Sequence, residues 1–349
     1  VKIGVYALAK NEEKHAIPWA ESCQDADVRV VTDTGSTDST VQRLTLAGVT
    51  VATGYVCPWR WDEAHNLSLH HLPPDVDVAI RLDLDERLQP GWREAIERAW
   101  VDGTNNLRYR YVWSWAPDGR PGLVFYCDRV HARAGFRWTG ATHEGLVCWK
   151  GDRRVRVAEG LEIHHHRDPG KRHVTDLELL RVAVAEAPHD ARARWYLARE
   201  CDYLNLAESA AQWAAYLRMP DGSVTERAYA LRALSRVTGE EAHLHRAARE
   251  ATWEPDAWEH LAQAHCRRRE WRETLAFAQV ALQADGEPTH ATDPNAKIRA
   301  ADIAAMAAWE LGLRPQALQL AEDAVARSPL DDRLRANLEA MRRLVEAAA

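Results

Sequence analysis

Phenylalanine and methionine are scarce in this 349-residue chain, three of each, and lysine occurs six times against 39 arginines. The arginine and alanine excess runs through both halves, so it reads as coding bias rather than as the mark of a site. The six cysteines (23, 57, 127, 148, 201 and 266) include no Cys-x-x-Cys pair. Their scatter argues against a disulfide framework and a zinc ribbon and fits a reducing compartment. No run approaches the ~18–20 apolar residues that span a bilayer. The opening stretch VKIGVYALAKNEEKH lacks the basic-then-apolar layout of a secretory signal. A soluble, cytoplasmic protein is the expectation. Gly-x-Gly-x-x-Gly, the phosphate loop ending in Gly-Lys-Ser/Thr and His-Glu-x-x-His are all absent. Dinucleotide-binding, P-loop and zinc-hydrolase readings lose their main support with them.

The chain does contain 46% hydrophobic and 28% charged residues, a globular composition long enough for about two domains. Net charge is −7, unevenly placed. Residues 1–103 carry 10 basic and 17 acidic groups, residues 104–173 carry 13 and 7, and residues 174–349 carry 22 and 28. The basic middle segment is a footprint for a phosphorylated ligand or acceptor, or a solvated arginine-rich surface.

Over the first hundred residues, short apolar runs alternate with amphipathic stretches: strands over 2–9, 28–32, 49–52 and 76–84, helices over 11–22, 37–46, 62–71 and 91–100. That alternation predicts βαβ units and a largely parallel sheet, with ligands beyond the carboxyl ends of its strands. From about 107 to 166, aromatic and β-branched runs separated by Pro-Asp-Gly and Gly-Asp turns predict antiparallel strands that extend this first domain. Everything after about 174 has helical periodicity. Pro188, Pro220, Pro255, Pro288 and Pro329 recur at intervals of 32–41 residues, each followed by a similar alanine-rich pair of helices. A period near 34 predicts tetratricopeptide-like repeats, about four of them. The expected domains are therefore 1–172, α/β, and 173–349, all-α.

Three stretches carry chemistry. Arg81-Leu82-Asp83-Leu84-Asp85-Glu86 ends a predicted strand, where extended backbone would point Asp83 and Asp85 the same way. Paired carboxylates there suit a hard divalent cation, Mg²⁺ or Mn²⁺, bridging to phosphate oxygens, although Asp-x-Asp alone also fits a surface turn. Val30 to Thr40 reads as a strand, a glycine turn and a capped helix start, with Asp33 at the strand tip. The same residues also suit a purely structural turn. His164-His165-His166 on a strand would point His165 away from its two neighbours, leaving those as surface histidines or an accidental zinc site. Trp113, Trp115, Trp138 and Trp149 lie in the basic segment and fit core packing or stacking on sugars and bases.

Asn11-Glu12-Glu13 after the first strand, Asp33-x-Gly35-Ser36-Thr37-Asp38 after the second, and Asp83-x-Asp85-Glu86 fifty residues later resemble family 2 glycosyltransferases with the GT-A fold. The order is similar to that of intracellular members fused to tetratricopeptide-like repeats. Trp61-x-x-Ala64-His65-Asn66, Arg137-Trp138-x-Gly140-x-x-His143-Glu144 and Ile163-x-His165-x-x-Asp168 extend the resemblance to about residue 204. His65 departs from it, standing where the family usually has arginine, which alters contacts to a donor diphosphate or replaces one donor group by another. The resemblance implies an α/β GT-A domain, a nucleotide-sugar donor, UDP being the commonest, and inverting transfer to an acceptor hydroxyl. It implies Glu12, Asp33, Asn66 and Asp83 at the nucleotide-sugar, and Asp85, with Asp83 and His165, at a divalent metal, Mn²⁺ or Mg²⁺. Glu144 is the expected catalytic base, because a carboxylate in a partly desolvated pocket can gain basicity; His143 is its rival. The repeats suggest a macromolecular acceptor (peptide or protein, hydroxymethylated DNA base, or glycan) and offer a surface for a homodimer. The alternative is a non-catalytic repeat scaffold with a degenerate transferase-like domain.

Overall fold

Ile3, Val5, Ala7 and Ala9 are buried on one side of strand β1 (Ile3–Ala9) and Tyr6 on the other. Extended backbone alternates its side chains, so an apolar residue at nearly every position makes a strand covered on both faces. The computed structural model describes residues 1–168 and 176–347. They divide into two compact units, one of residues 1–115 and 124–188, the other of residues 116–123 and 189–349. The expected boundary between residues 172 and 173 lies outside the described residues.

In the first unit β1 is followed by α1 (Glu13–Ser22), β2 (Val28–Asp33), α2 (Thr40–Leu46), β3 (Thr50–Thr53), α3 (Trp61–His71) and β4 (Val78–Arg81). Then come β5 (Glu86–Leu88), α4 (Trp92–Ala99), β6 (Asn106–Val112), β7 (Val124–Ala132), β8 (Phe136–Thr139), β9 (Gly145–Cys148), β10 (Val155–His165) and α5 (Leu177–Glu186). Eight strands form one sheet in the order β3-β2-β1-β4-β7-β6-β10-β5. The first four are mutually parallel; β7 pairs antiparallel with both β4 and β6, β6 runs parallel to β10, and β5 closes the edge antiparallel to β10. This is the expected architecture, a Rossmann-like parallel half with an antiparallel extension. Trp19, Leu44, Trp92 and Ile96 cover one face, and Leu69 of α3, with Leu72 just after it, covers Tyr6, Val30 and Ala79 on the other.

One expected strand is shorter than its apolar pattern. The sequence reads as extended over 76–84, yet β4 ends at Arg81. A turn closes at once, with the Glu86 amide donating to the Asp83 carbonyl (2.9 Å) and the Asp83 amide to Glu86 Oε2 (2.9 Å). Leu82 and Leu84 are buried in the core all the same, which is why the run looked like strand. The indole N–H of Trp19 donates to the Leu82 carbonyl (2.9 Å), so α1 anchors this turn from below.

The second unit contains α6 (Ala191–Tyr203), α7 (Ser209–Leu217), α8 (Val224–Thr238), α9 (Ala242–Glu250), α10 (Pro255–Arg267), α11 (Trp271–Gln283), α12 (Ala296–Glu310), α13 (Arg314–Arg327) and α14 (Asp332–Glu346). These make four helical pairs and a closing helix, in keeping with about four repeats. Asp190, Ser223 and Asp331 accept from the first free amides of α6, α8 and α14, the positions where such side chains stabilise a helix start. Ala300, Ala304, Ala307 and Ala308 are buried on α12, small enough to let neighbouring helices approach closely. Residues 284–295, between α11 and α12, form the longest of the connections within these nine helices. No helix among the described residues is long and apolar enough to cross a membrane.

Candidate functional site

Three motif loops sit side by side at the carboxyl ends of β2, β1 and β4. The first two are laced together. Asn11, at φ 57°, accepts from the Thr37 amide through Oδ1 (2.7 Å), while its own amide donates to Ser36 Oγ (2.9 Å). The Glu12 amide donates to Thr40 Oγ1 (2.7 Å), and Glu13 Oε2 accepts from the Ser39 amide (3.2 Å). Asp33 turns back on its own loop, its carboxylate accepting from the amides of Gly35 and Ser36 at 3.1 Å. Gly35, at φ 106°, takes the backbone position that glycine favours.

Asp83 and Asp85, expected to point together, diverge because the turn and not a strand carries them. Asp83 lies against two guanidinium groups: Arg81 reaches both its oxygens at 3.3 Å, and Arg129 of β7 reaches Oδ2 at 3.0 Å. Burial would raise the Asp83 pKa, but the two arginines outweigh it and hold the carboxyl well below the usual range. Arg129 also donates to Glu86 Oε1 (2.5 Å), which accepts from the Tyr111 hydroxyl as well (2.5 Å). Burial pushes the Glu86 carboxyl up despite Arg129. Arg81, Arg129, Glu86 and Tyr111 had no assigned role in the sequence. Only the strand order β4-β7-β6 brings Arg129 and Tyr111 to this turn, and no spacing in the chain announces it.

Asp85 faces the other way, toward β10. Its Oδ2 lies 3.4 Å from His165 Nε2, and its carbonyl accepts from the His166 amide (2.7 Å). His165 Nδ1–H donates to the Trp113 carbonyl (2.9 Å), and its ring stacks on Trp113 at 4.5 Å between centroids. Burial opposes protonation of His165, and Asp85 more than offsets it, raising the pKa. The expected alternation holds, since His164 and His166 both lie against Trp115 instead.

A histidine fixed through Nδ1 by a backbone carbonyl, with Nε2 toward a carboxylate, has the arrangement by which proteins orient metal-binding imidazoles. Asp85 and His165 therefore fit a divalent cation as two protein ligands. Asp83 does not join them, because its oxygens are held by arginine. Among the described residues, no three His, Cys, Asp or Glu side chains gather so as to hold a metal ion.

Glu144 is half-buried, its side chain 7% exposed, but it meets an arginine and not an open apolar pocket. Arg81 donates to its Oε1 at 2.5 Å, and His65 Nε2 lies 3.3 Å from the same oxygen without hydrogen-bond geometry. The His65 ring is held between Trp61 and Trp138. Burial first, then Arg81, keep it well below the usual histidine pKa. Arg81 also lies over the Trp138 ring at 4.6 Å. Asn66 is engaged with backbone, exchanging two hydrogen bonds with Trp138 at 2.9 and 2.8 Å. His143 sits at φ 50°, in the turn between β8 and β9. Glu12, Asp33, Asp83 and Asp85 thus belong to one row of loops, Glu144 joins it through Arg81, and Asn66 braces the hairpin that carries Glu144.

No protein-family model and no curated protein matches this chain. Among solved structures, glucosyl-3-phosphoglycerate synthase from Mycobacterium tuberculosis, in complex with Mn²⁺, UDP and glucosyl-3-phosphoglycerate, is similar over 31% of this chain at 24% identity and a TM-score of 0.28. The match spans 43% of that enzyme, less than half its length. The MamA protein is similar over 44% of this chain and 81% of its own at 16% identity and a TM-score of 0.35. Yeast Tom70 is similar over 51% of this chain and 37% of its own at 12% identity and a TM-score of 0.39.

Proposed function

We propose that the first unit is a divalent-metal-assisted, inverting glycosyltransferase of the GT-A type, taking a sugar from a nucleotide-sugar, UDP-linked, to a hydroxyl of a macromolecular acceptor. The observation that carries the reading is the Asp85–His165 pair beside the row of loops holding Glu12, Asp33 and Asp83. Glu12 and Asp33 would face the nucleoside, with Asp83 exchanging an arginine contact for it. Asp85 and His165 would hold Mn²⁺ or Mg²⁺, which when bound neutralises charge on a departing nucleoside diphosphate. In the transfer, the acceptor oxygen bonds to the anomeric carbon as the bond from that carbon to the phosphate oxygen breaks. The acceptor proton passes to Glu144, once Arg81 has turned its second contact elsewhere; His143 is the other residue in reach of the role by sequence. Peptide, glycan and hydroxymethylated base are the acceptor classes that suit a repeat-bearing chain.

The test is calorimetric titration of the full chain with UDP, GDP, CDP and dTDP, each with and without Mn²⁺. Binding of one nucleotide, strengthened by Mn²⁺ and losing that Mn²⁺ dependence in Asp85→Asn with the helical circular-dichroism signal intact, is the expected result. Mn²⁺-independent binding would remove the metal role. No binding of any nucleotide would favour the second reading, a non-catalytic repeat scaffold, which the arginine grip on Asp83 supports.

A further inference from the structure

The connection between α11 and α12 does not turn back directly, as the other connections in the helical unit do. It runs as a strap across the first helices of three repeats. At its start the Gly286 amide donates to the Trp253 carbonyl (2.9 Å), and a Cβ on Gly286 would fall 2.4 Å from the Trp253 ring. His290 then reaches α6 and α8: its Nε2–H donates to Glu226 (3.1 Å), and its ring meets Trp195 edge-on at 5.2 Å. Arg232 of α8 donates to the Ala291 carbonyl (3.0 Å), and the Asp293 amide donates to Asp256 of α10 (2.8 Å). The helices thus hold the strap by one ring and by its backbone, a donor and an acceptor in turn, as an extended peptide is held.

The fit is incomplete at its centre. Glu254 and Asp256 are each at most 2% exposed, and both share Arg232, at 3.6 and 3.2 Å. Among the described residues, neither Glu254 oxygen, nor Asp256 Oδ2, nor Arg232 Nη1 has a hydrogen-bond partner. Buried polar atoms are nearly always paired, because an unpaired one forfeits the hydrogen bonds it made to water. Two carboxylates against one guanidinium also leave more acceptor oxygens than Arg232 fills, which a second cationic donor would meet. We propose that the strap of residues 286–295 is a built-in stand-in for a peptide partner, an extended segment that carries a basic side chain, which displaces the strap and meets Glu226, Glu254 and Asp256. His290 holds the place of that basic residue. The surface is independent of the transferase chemistry proposed for the first unit.

The test uses the full chain with residues 287–294 replaced by a glycine-serine segment of equal length. The probe is a fluorescein-labelled, terminally blocked peptide of residues 285–296 with arginine in place of His290. The expected result is at least tenfold tighter binding to the strap-replaced chain than to the unaltered one. Glu226→Gln in the replaced chain should remove the preference for the arginine peptide over one with leucine at that position. Equal binding by both chains, or no binding to a replaced chain that keeps its helical signal, would overturn the proposal. If the replaced chain fails to fold, hydrogen exchange on the unaltered chain decides instead. The Gly286 and Asp293 amides should exchange through an opening of the strap alone, at least tenfold faster than the core amides of α8 and α10. Exchange only together with those helices would make the strap part of the repeat fold and overturn the proposal.

Discussion

Two buried ion clusters, one in each unit, are built from the same groups with opposite results. In the first unit, Arg81 and Arg129 face Asp83, Glu86 and Glu144, and each of these carboxylates has at least one close donor. The Tyr111 hydroxyl and the Asp83 amide supply what the arginines do not reach. In the helical unit, Arg232 faces both Glu254 and Asp256, and among the described residues both Glu254 oxygens are left without a hydrogen bond. Burying charge is costly in both places; hydrogen bonds to the ionised forms offset the cost in one and not in the other. In the first cluster the arginines hold the Asp83 carboxyl low, while burial still pushes Glu86 up. The second answers with a proton: burial, against Arg232, pushes the Glu254 carboxyl up to about 7.

The largest effect that would break this comparison is expected from Arg129→Met. It leaves Asp83 and Glu86 facing one remaining guanidinium, and the loss of stability should be about 3–5 kcal/mol, read by urea denaturation. A loss below about 1 kcal/mol would mean that the first cluster tolerates orphaned carboxylates as the second does. Next in size is the pH dependence of the helical unit. Glu254 binds a proton more tightly folded than unfolded, so its contribution is present below about pH 4.5 and is lost as pH rises toward 7. Between pH 5 and 8 the unaltered chain should lose about 2–3 kcal/mol through this group. Glu254→Gln should flatten that slope in a series of melting curves, and an unchanged slope would sink the assignment. The smallest effect belongs to Tyr111→Phe. It removes one of three donors on Glu86 and should cost about 0.5–1.5 kcal/mol at neutral pH, read by urea denaturation.

The sequence revealed the two classes of structure and the loops of the first unit, because period-two and period-3.6 patterns and glycine turns are local signals. It misplaced the end of β4, since Leu82 and Leu84 are buried whether extended or turning. Asp85 and His165, which the resemblance assigns to one metal, lie 3.4 Å apart. The arginines that hold Asp83 and Glu144 went unread: Arg81 stands inside a quoted motif, but Arg129 lies 46 residues beyond Asp83 and reaches it only through strand pairing. The strap left one trace, a Pro/Thr/Asp-rich stretch that enters the longest proline interval. Its hold on α6, α8 and α10 depends on side chains from 37 residues away (Asp256) to 95 (Trp195), each ordinary in its own helix.

The pairing of β5 with β10 places Glu86 opposite His165 and Arg87 opposite His164, and the pairing of β10 with β6 shifts register between Val157 and Glu162. Three identical residues in a row make the choice of histidine degenerate in the sequence. A slip of one position would still offer an imidazole to Asp85, drawn from His164 or His166. The same slip would carry Ile163, fully buried, to the opposite face of the strand. The identity of the histidine at the acidic turn is therefore decided by an isoleucine two residues away, and selection for the site and selection for the core fall on the same register.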